Sequence, residues 1–270
     1  MEKIKKIILD EISILDSKRK RHYEVKYSNE YYLNMMFHLL KDVNNWKFLE
    51  NIKGYGEYKD TIIPKYHYKT IQNKYNYWVL KNIFSNAFEK IKCDLNSNIL
   101  IIDSTIINNK YGVENLTINP EYTKKQGTKL SIITNEIGFI LSVQEFDINK
   151  TLKDNSKTSV HDVCMIEKTL KNVKQNNESK YYYLIGDKAY KNKYDLKLNN
   201  KKVLMITPDK KNTIIKNTIK NNKKLKKRIT IEHTNLEIKK YDRCNVRKER
   251  KINNFLSWIY ISSSLNNIKN

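Results

Sequence analysis

The chain has 270 residues, 39% of them hydrophobic, enough for one large domain with a small companion. Its 52 basic residues against 29 acidic ones leave a formal charge of +23, an excess that self-repels unless a polyanion offsets it, so nucleic acid is the expected partner. Three cysteines, Cys93, Cys164 and Cys244, are odd in number and far apart, which argues against a disulfide framework or a zinc site. No apolar stretch approaches a membrane span, and the N-terminus lacks a signal peptide's hydrophobic core. The expected location is the cytoplasm beside the nucleoid, or a nucleus in a eukaryotic host. Codon bias in a genome rich in A and T accounts for part of the lysine count, since Asn and Tyr are abundant too. It explains less well the basic run Lys18, Arg19, Lys20, Arg21 and the cluster Arg243, Arg247, Arg250.

In chain order, residues 2–16 place Ile4, Ile8, Ile12 and Leu15 on one helical face. The basic run 18–21 comes directly after. Residues 28–42 read as a second helix capped by Ser28, with Tyr32, Met35, Met36, Leu39 and Leu40 facing inward. Asn44-Asn45-Trp46 turns the chain, and Gly54, Gly56 and Pro64 punctuate a loop. Residues 68–91 resume helical spacing through Ile71, Tyr75, Trp78, Ile83 and Phe88. Trp46 and Trp78 read as core residues rather than base-stacking platforms. The first 92 residues thus form a helical module with basic and aromatic residues mixed through it.

From Ile99 the period changes to that of strands. Strands are expected over 100–107 and 115–118, then a hairpin of 129–134 and 138–145 turned at Asn135-Glu136-Ile137-Gly138. Next come a helix over 161–172, a strand over 181–185, a short helix over 190–198 and a strand over 202–206. The Lys- and Asn-rich stretch 209–227 reads as a mobile basic loop, and helices around Glu232 and over 252–268 end the chain.

Two apolar runs each close on an aspartate: Asn98-Ile-Leu-Ile-Ile-Asp103 and Tyr181-Tyr-Tyr-Leu-Ile-Gly-Asp187. Each carboxylate is expected at a strand's carboxyl end, where open α/β sheets bind their ligands. Glu232 lies on a helix in Arg228-Ile-Thr-Ile-Glu-His-Thr-Asn-Leu-Glu-Ile-Lys239. Three acids from two strands and a helix suit a pair of Mg²⁺ ions, because hard cations take oxygen ligands and phosphodiester chemistry stabilises both attacking and leaving oxygens. Steps of four and seven residues put Arg228, Glu232 and Lys239 on one stripe, so both cations can hold phosphates near the metal. An ordinary i, i+4 surface pair is the competing reading of Arg228 and Glu232. Glu237 and Asp242 are rival acids without those offsets. His161-Asp162 either adds a polar contact to the site or simply starts its helix.

The motifs Asp103-Ser-Thr105, His161-Asp162, Asp187-Lys-Ala-Tyr190 and Arg228 through Glu232 to Lys239 resemble those of the DDE transposases of bacterial insertion sequences, the insertion-sequence four/five-like superfamily. The resemblance extends to Gly127-Thr-Lys129, Pro208 and Arg247-Lys-Glu-Arg-Lys-Ile-Asn-Asn-Phe255, and into the N-terminal module at Trp46 and Trp78. Leu225 stands where that signature has a tyrosine. The resemblance implies a ribonuclease-H-like mixed five-stranded sheet flanked by helices over 98–270, behind an N-terminal helical DNA-binding module over 1–92. It implies Asp103, Asp187 and Glu232 as catalytic acids and ligands of Mg²⁺, with Mn²⁺ as substitute, and a homodimer or higher oligomer on double-stranded DNA. The reaction implied is hydrolytic cutting of the element's ends to leave 3′-hydroxyls, and then attack of those hydroxyls on target DNA. Arg228, Lys239, Lys129 and the run Lys18, Arg19, Lys20 and Arg21 are the expected DNA contacts. A ribonuclease-H-like nuclease without strand transfer, and a captured transposase acting only as a DNA-binding protein, are the alternatives; inverted repeats flanking the gene would separate the first reading from both.

Overall fold

The computed structural model describes residues 1–18, 27–42, 45–51, 67–92, 97–118, 126–146, 161–173, 180–191, 196–198, 200–209 and 217–269. Arg19, Lys20 and Arg21 therefore lie outside the described residues. The chain divides into two compact units, one of Met1–Ile91, Lys110–Gly112 and Ile238–Lys269 and one of Lys92–Asn109 with Val113–Glu237.

The first unit is helical. Helix α1 (Glu2–Ser17) buries Ile4, Ile8 and Ile12 on the expected face. Helix α2 (Asn29–Asp42) starts as expected at Ser28, whose Oγ accepts from the Tyr31 backbone N–H at 3.1 Å. The helical spacing read over 68–91 is carried by two helices, α3 (His67–Leu80) and α4 (Ile83–Ile91). Asn82 separates them with φ of 57°, a left-handed backbone that Asn tolerates better than other side-chain-bearing residues. The last helix (Ile252–Lys269) packs on α4 and is buried on nearly all sides over Phe255–Asn267, which marks it as the unit's central helix. Trp78 and Trp258 are fully buried, and Trp46 nearly so.

The second unit is built on a mixed sheet. Its longer strands are β1 (Ile99–Asn109), β3 (Gln126–Asn135), β4 (Ile140–Glu145), β5 (Tyr181–Ile185) and β7 (Lys201–Ile206). Across the sheet they run β4, β3, β1, β5, β7: antiparallel among the first three, parallel among the last three. The two-residue strands β2 (Thr117–Ile118) and β6 (Lys197–Leu198) pair with β3 and β7. The hairpin turns where expected, because Asn135 Oδ1 accepts from the N–H groups of Ile137 and Phe139 at 3.1 and 2.9 Å and Gly138 takes φ of 87°. Helix α5 (Ile166–Lys171) lies against β3 and β4, with Thr169 Oγ1 donating to Ser131 Oγ at 2.9 Å.

Two expectations fail in this unit. Of the helix expected over 190–198, residues 192–195 lie outside the described residues; the described part is the end of a 3-10 turn, Lys188–Tyr190, and strand β6, whose pairing with β7 outweighs local helical spacing. Part of the loop expected over 209–227 is helix α6 (Ile219–Leu225), started by Thr218, whose side chain accepts from Asn221 N–H at 3.2 Å. A 3-10 turn at Lys226–Arg228 leads from it directly into α7 (Ile229–Lys239).

Candidate active site

The parallel pairing of β1 with β5 ends at Ile101 opposite Ile185, while β1 continues its antiparallel pairing with β3 out to Asn108. Asp103 therefore sits mid-strand rather than at a strand's end as expected. It stands just past the point where β1 and β5 part, and Asp187 stands two residues beyond the end of β5. The opening between diverging strands is where α/β sheets accept ligands. Leu100, Ile101 and Ile102 are wholly buried and anchor the strand under the acid.

Gly186 brings the second acid close. A Cβ there would meet the Tyr190 ring at 2.8 Å and Ile102 at 3.2 Å, so only glycine lets the 3-10 turn fold back against β1. Asp187 caps that turn by accepting from Ala189 N–H at 2.7 Å.

Burial pushes the Asp103 carboxyl up to about 6, and the neighbouring Asp187 and Asp162 charges push it the same way against the lowering effects of the Ser104 backbone and Arg228. Burial likewise raises the Tyr190 phenol far above its ordinary value, reinforced by Asp162, Asp103 and Asp187. Four groups from β1, the turn after β5 and the turn before α5 thus share one field. Asp162 both opens its 3-10 turn, Asp162–Met165, and joins the site, while His161 is exposed. Lys129, expected on DNA, pairs with Asp162 at 2.6 Å and lies over the Phe146 ring.

Helix α7 completes the site. Asn235 donates Nδ2 to Asp103 Oδ2 at 3.0 Å, and its own Oδ1 is buried with no hydrogen-bond partner among the described residues. One turn earlier Glu232 is about half exposed and accepts from Arg228 Nη2 at 2.8 Å. The guanidinium also feels Asp103 and Asp187, and these acids with Glu232 hold its pKa above the ordinary value, the Glu232 hydrogen bond being the largest cause. Lys239 closes the helix, half-buried, and Lys18 is exposed at the end of α1. The structure brings Asp103, Asp187 and Arg228 into one electrostatic neighbourhood, ties Glu232 to it through Arg228, and adds Asn235, Tyr190 and Asp162. Sequence spacing assigns no role to Asn235 or Tyr190. The only signal for Asn235 is its place three residues past Glu232 on the same helix, and Tyr190 merely closes the Asp187-Lys-Ala-Tyr190 motif.

The donor set suits a hard divalent cation: a carboxyl whose acidity is lowered first by burial and then by the neighbouring Asp187, beside a buried amide oxygen with no hydrogen-bond partner among the described residues. Among the described residues no three His, Cys, Asp or Glu side chains are close enough together to hold a metal, and Glu232 is paired with Arg228. No helix among them is long and apolar enough to cross a membrane.

Residues 95–266 match the family model described as the transposase DDE domain. No curated protein matches the sequence. Among solved structures, the piggyBac transposase synaptic complex with hairpin DNA is similar at 11% identity over 79% of this chain and 49% of that chain, with a TM-score of 0.39. The chain thus spans about half the length of that protein, and so distant a likeness carries no argument about mechanism. The family match covers well over half of the chain and includes every acid of the site, and on that ground the chain belongs to the transposase DDE domain family.

Proposed function

We propose that this chain cuts double-stranded DNA at the ends of a mobile element and joins the freed 3′-hydroxyls to a target, as a member of the insertion-sequence four/five-like group. The observation that carries this reading is the meeting of Asp103 and Asp187 where β1 and β5 part, with α7 tied to the first acid through Asn235. The strand order, three antiparallel strands and then two parallel ones on the far side of β1, supports a ribonuclease-H-like sheet within a catalytic domain that we propose over 98–270, although 238–269 group with the helical unit.

Asp103, Asp187 and Glu232 are the proposed metal-holding acids, and DDE transposase domains generally use divalent ions; Mg²⁺, or Mn²⁺ in its place, would supply charge stabilisation at the phosphate. Asn235 fixes the orientation of Asp103. Arg228 holds Glu232 and, being drawn also toward the two aspartates, is placed to take a phosphate oxygen. Lys239 adds a second cation at the end of the same helix. Lys129 orients Asp162 and reaches DNA only by giving up that pair. Lys18, with Arg19, Lys20 and Arg21, belongs to a module over 1–92 that recognises the element's terminal inverted repeats. A homodimer or higher oligomer holds two ends together, at the nucleoid.

The test is incubation of the protein with DNA carrying the sequences that flank its gene. Cleavage leaving 3′-hydroxyls is expected in Mg²⁺ or Mn²⁺ and none in Ca²⁺, whose looser coordination does not suit in-line attack. Equal cleavage in the presence of a chelator contradicts the proposal.

A further inference from the structure

The helical unit contains a cavity of about 470 Å³, within the ~300–1,000 Å³ usual for small-ligand sites. None of the proposed catalytic acids lines it, so a ligand there would bind whether or not the chain cuts DNA.

Its wall is fixed before any ligand arrives. The segment after strand β8 (Val246–Arg247) is held by Arg247, which donates Nε to the Glu249 carbonyl at 3.0 Å and Nη2 to the Arg250 carbonyl at 2.8 Å. Glu249 is held in turn by Arg243 and by the Trp258 indole N–H. On the facing side Asn254 donates Nδ2 to Asn76 Oδ1 at 2.7 Å, and its backbone carbonyl accepts from Tyr75.

The chemistry of the lining is specific. The bond between the two asparagines leaves Asn254 Oδ1 and Asn76 Nδ2 as an adjacent acceptor and donor, and Gln72 adds a third amide. Amide forks of this kind pair with the edges of nucleobases. Lys248 is neutralised by Asp242 and Glu249 by Arg243, whereas Arg250 and Lys251 are exposed and make no ion pair among the described residues. The cavity is therefore cationic on one side, amide-lined on another, with Val79 as an apolar surface.

We propose that this cavity binds a single nucleotide, its base against Asn76, Asn254 and Gln72 and its phosphate between Arg250 and Lys251. The nucleotide comes either from an unpaired position in a DNA strand or from solution as a free mononucleotide.

The experiment is calorimetric titration of the full chain with dAMP, dCMP and inorganic phosphate, and then competition with two duplexes that differ only in one unpaired nucleotide. A mononucleotide is expected to bind at least about tenfold more tightly than phosphate. The double variant Arg250→Gln/Lys251→Gln should weaken it by about tenfold, the scale of a charged hydrogen bond. Gln72→Leu should reduce the advantage of nucleotide over phosphate while leaving phosphate binding as it is. Melting curves confirm that these solvent-facing changes leave the fold intact. If only the duplex with the unpaired nucleotide displaces the mononucleotide, the natural source is DNA; if neither duplex does, it is the free nucleotide. Phosphate binding as tightly as the nucleotides, or nucleotide binding untouched by the double variant, overturns the proposal.

Discussion

In the helical unit Arg243 and Glu249 are almost wholly buried and face each other at 2.6 Å, with the guanidinium beside both the Trp46 and Trp258 rings and the carboxylate also accepting from Trp258. In the sheet unit Asp103 and Asp187 are like charges held near each other, one of them desolvated enough to keep its proton up to about pH 6. The first arrangement matches a charge to its opposite beside aromatic rings; the second holds a carboxyl out of water, with a second acid near it, where the strands part. A protein keeps unfavourable electrostatics of the second kind where something else, a cation or a substrate, is to resolve them.

The largest expected effect comes from breaking the favourable pair. Glu249→Gln leaves Arg243 buried without its counter-charge and should lower stability by ~3–5 kcal/mol in chemical denaturation. Arg243→Met with Glu249→Leu should recover much of that loss but not all, because the Trp258 N–H then has no acceptor, a deficit of about 1 kcal/mol.

The converse is expected at the acids. Folding raises the Asp103 carboxyl from 3.8 to about 6, so in that pH window the folded chain binds more protons than the unfolded chain, and stability falls as pH rises through it. The penalty is complete above about pH 6 and amounts to at most ~3 kcal/mol. Asp103→Asn should therefore melt higher than wild type at pH 7 and lose most of this pH dependence, while abolishing cleavage. Millimolar Mg²⁺ should raise the wild-type melting temperature at pH 7 and leave that of Asp103→Asn nearly unmoved, since the ion binds only the folded acids. A variant less stable at pH 7 and equally pH-dependent would show that the folded chain does not hold the Asp103 carboxylate at a cost.

The smallest expected stability change is at Arg228. Its pair with Glu232 is half exposed, so Arg228→Ala should cost only a few tenths of a kcal/mol. Cleavage should nevertheless slow, and the salt dependence of DNA binding should weaken by about one unit of slope. Unchanged cleavage would reduce Arg228 to an ordinary surface partner.

The parts of the site legible in the sequence are those whose signal is local. Asp103 and Asp187 close apolar runs, and Arg228 and Glu232 stand four apart on one helix. The strand expected over 100–107 already carries Asp103 in its middle; what is not legible is where the sheet opens beside it, which only the pairing with β5 shows. Asn235 reaches Asp103 across 132 residues of sequence, a contact no spacing rule contains. The break at Asn82 carries neither Gly nor Pro, and helix α6 buries no residue, so its only local mark is the Thr218 cap. The last helix is legible as a helix, but its packing on α4 depends on a tertiary contact with the chain's first hundred residues.

In the proposed mechanism Glu232, rather than Glu237, the other acid of α7, acts with the two aspartates. Glu232→Gln and Glu237→Gln should be compared for cleavage of the same end-bearing DNA in Mg²⁺, with melting run alongside. Glu232→Gln is expected to lose activity by at least ~100-fold, beyond what outer-shell changes around a metal cost, and Glu237→Gln to remain near wild type. Loss at Glu237 with activity retained at Glu232 would contradict the assignment.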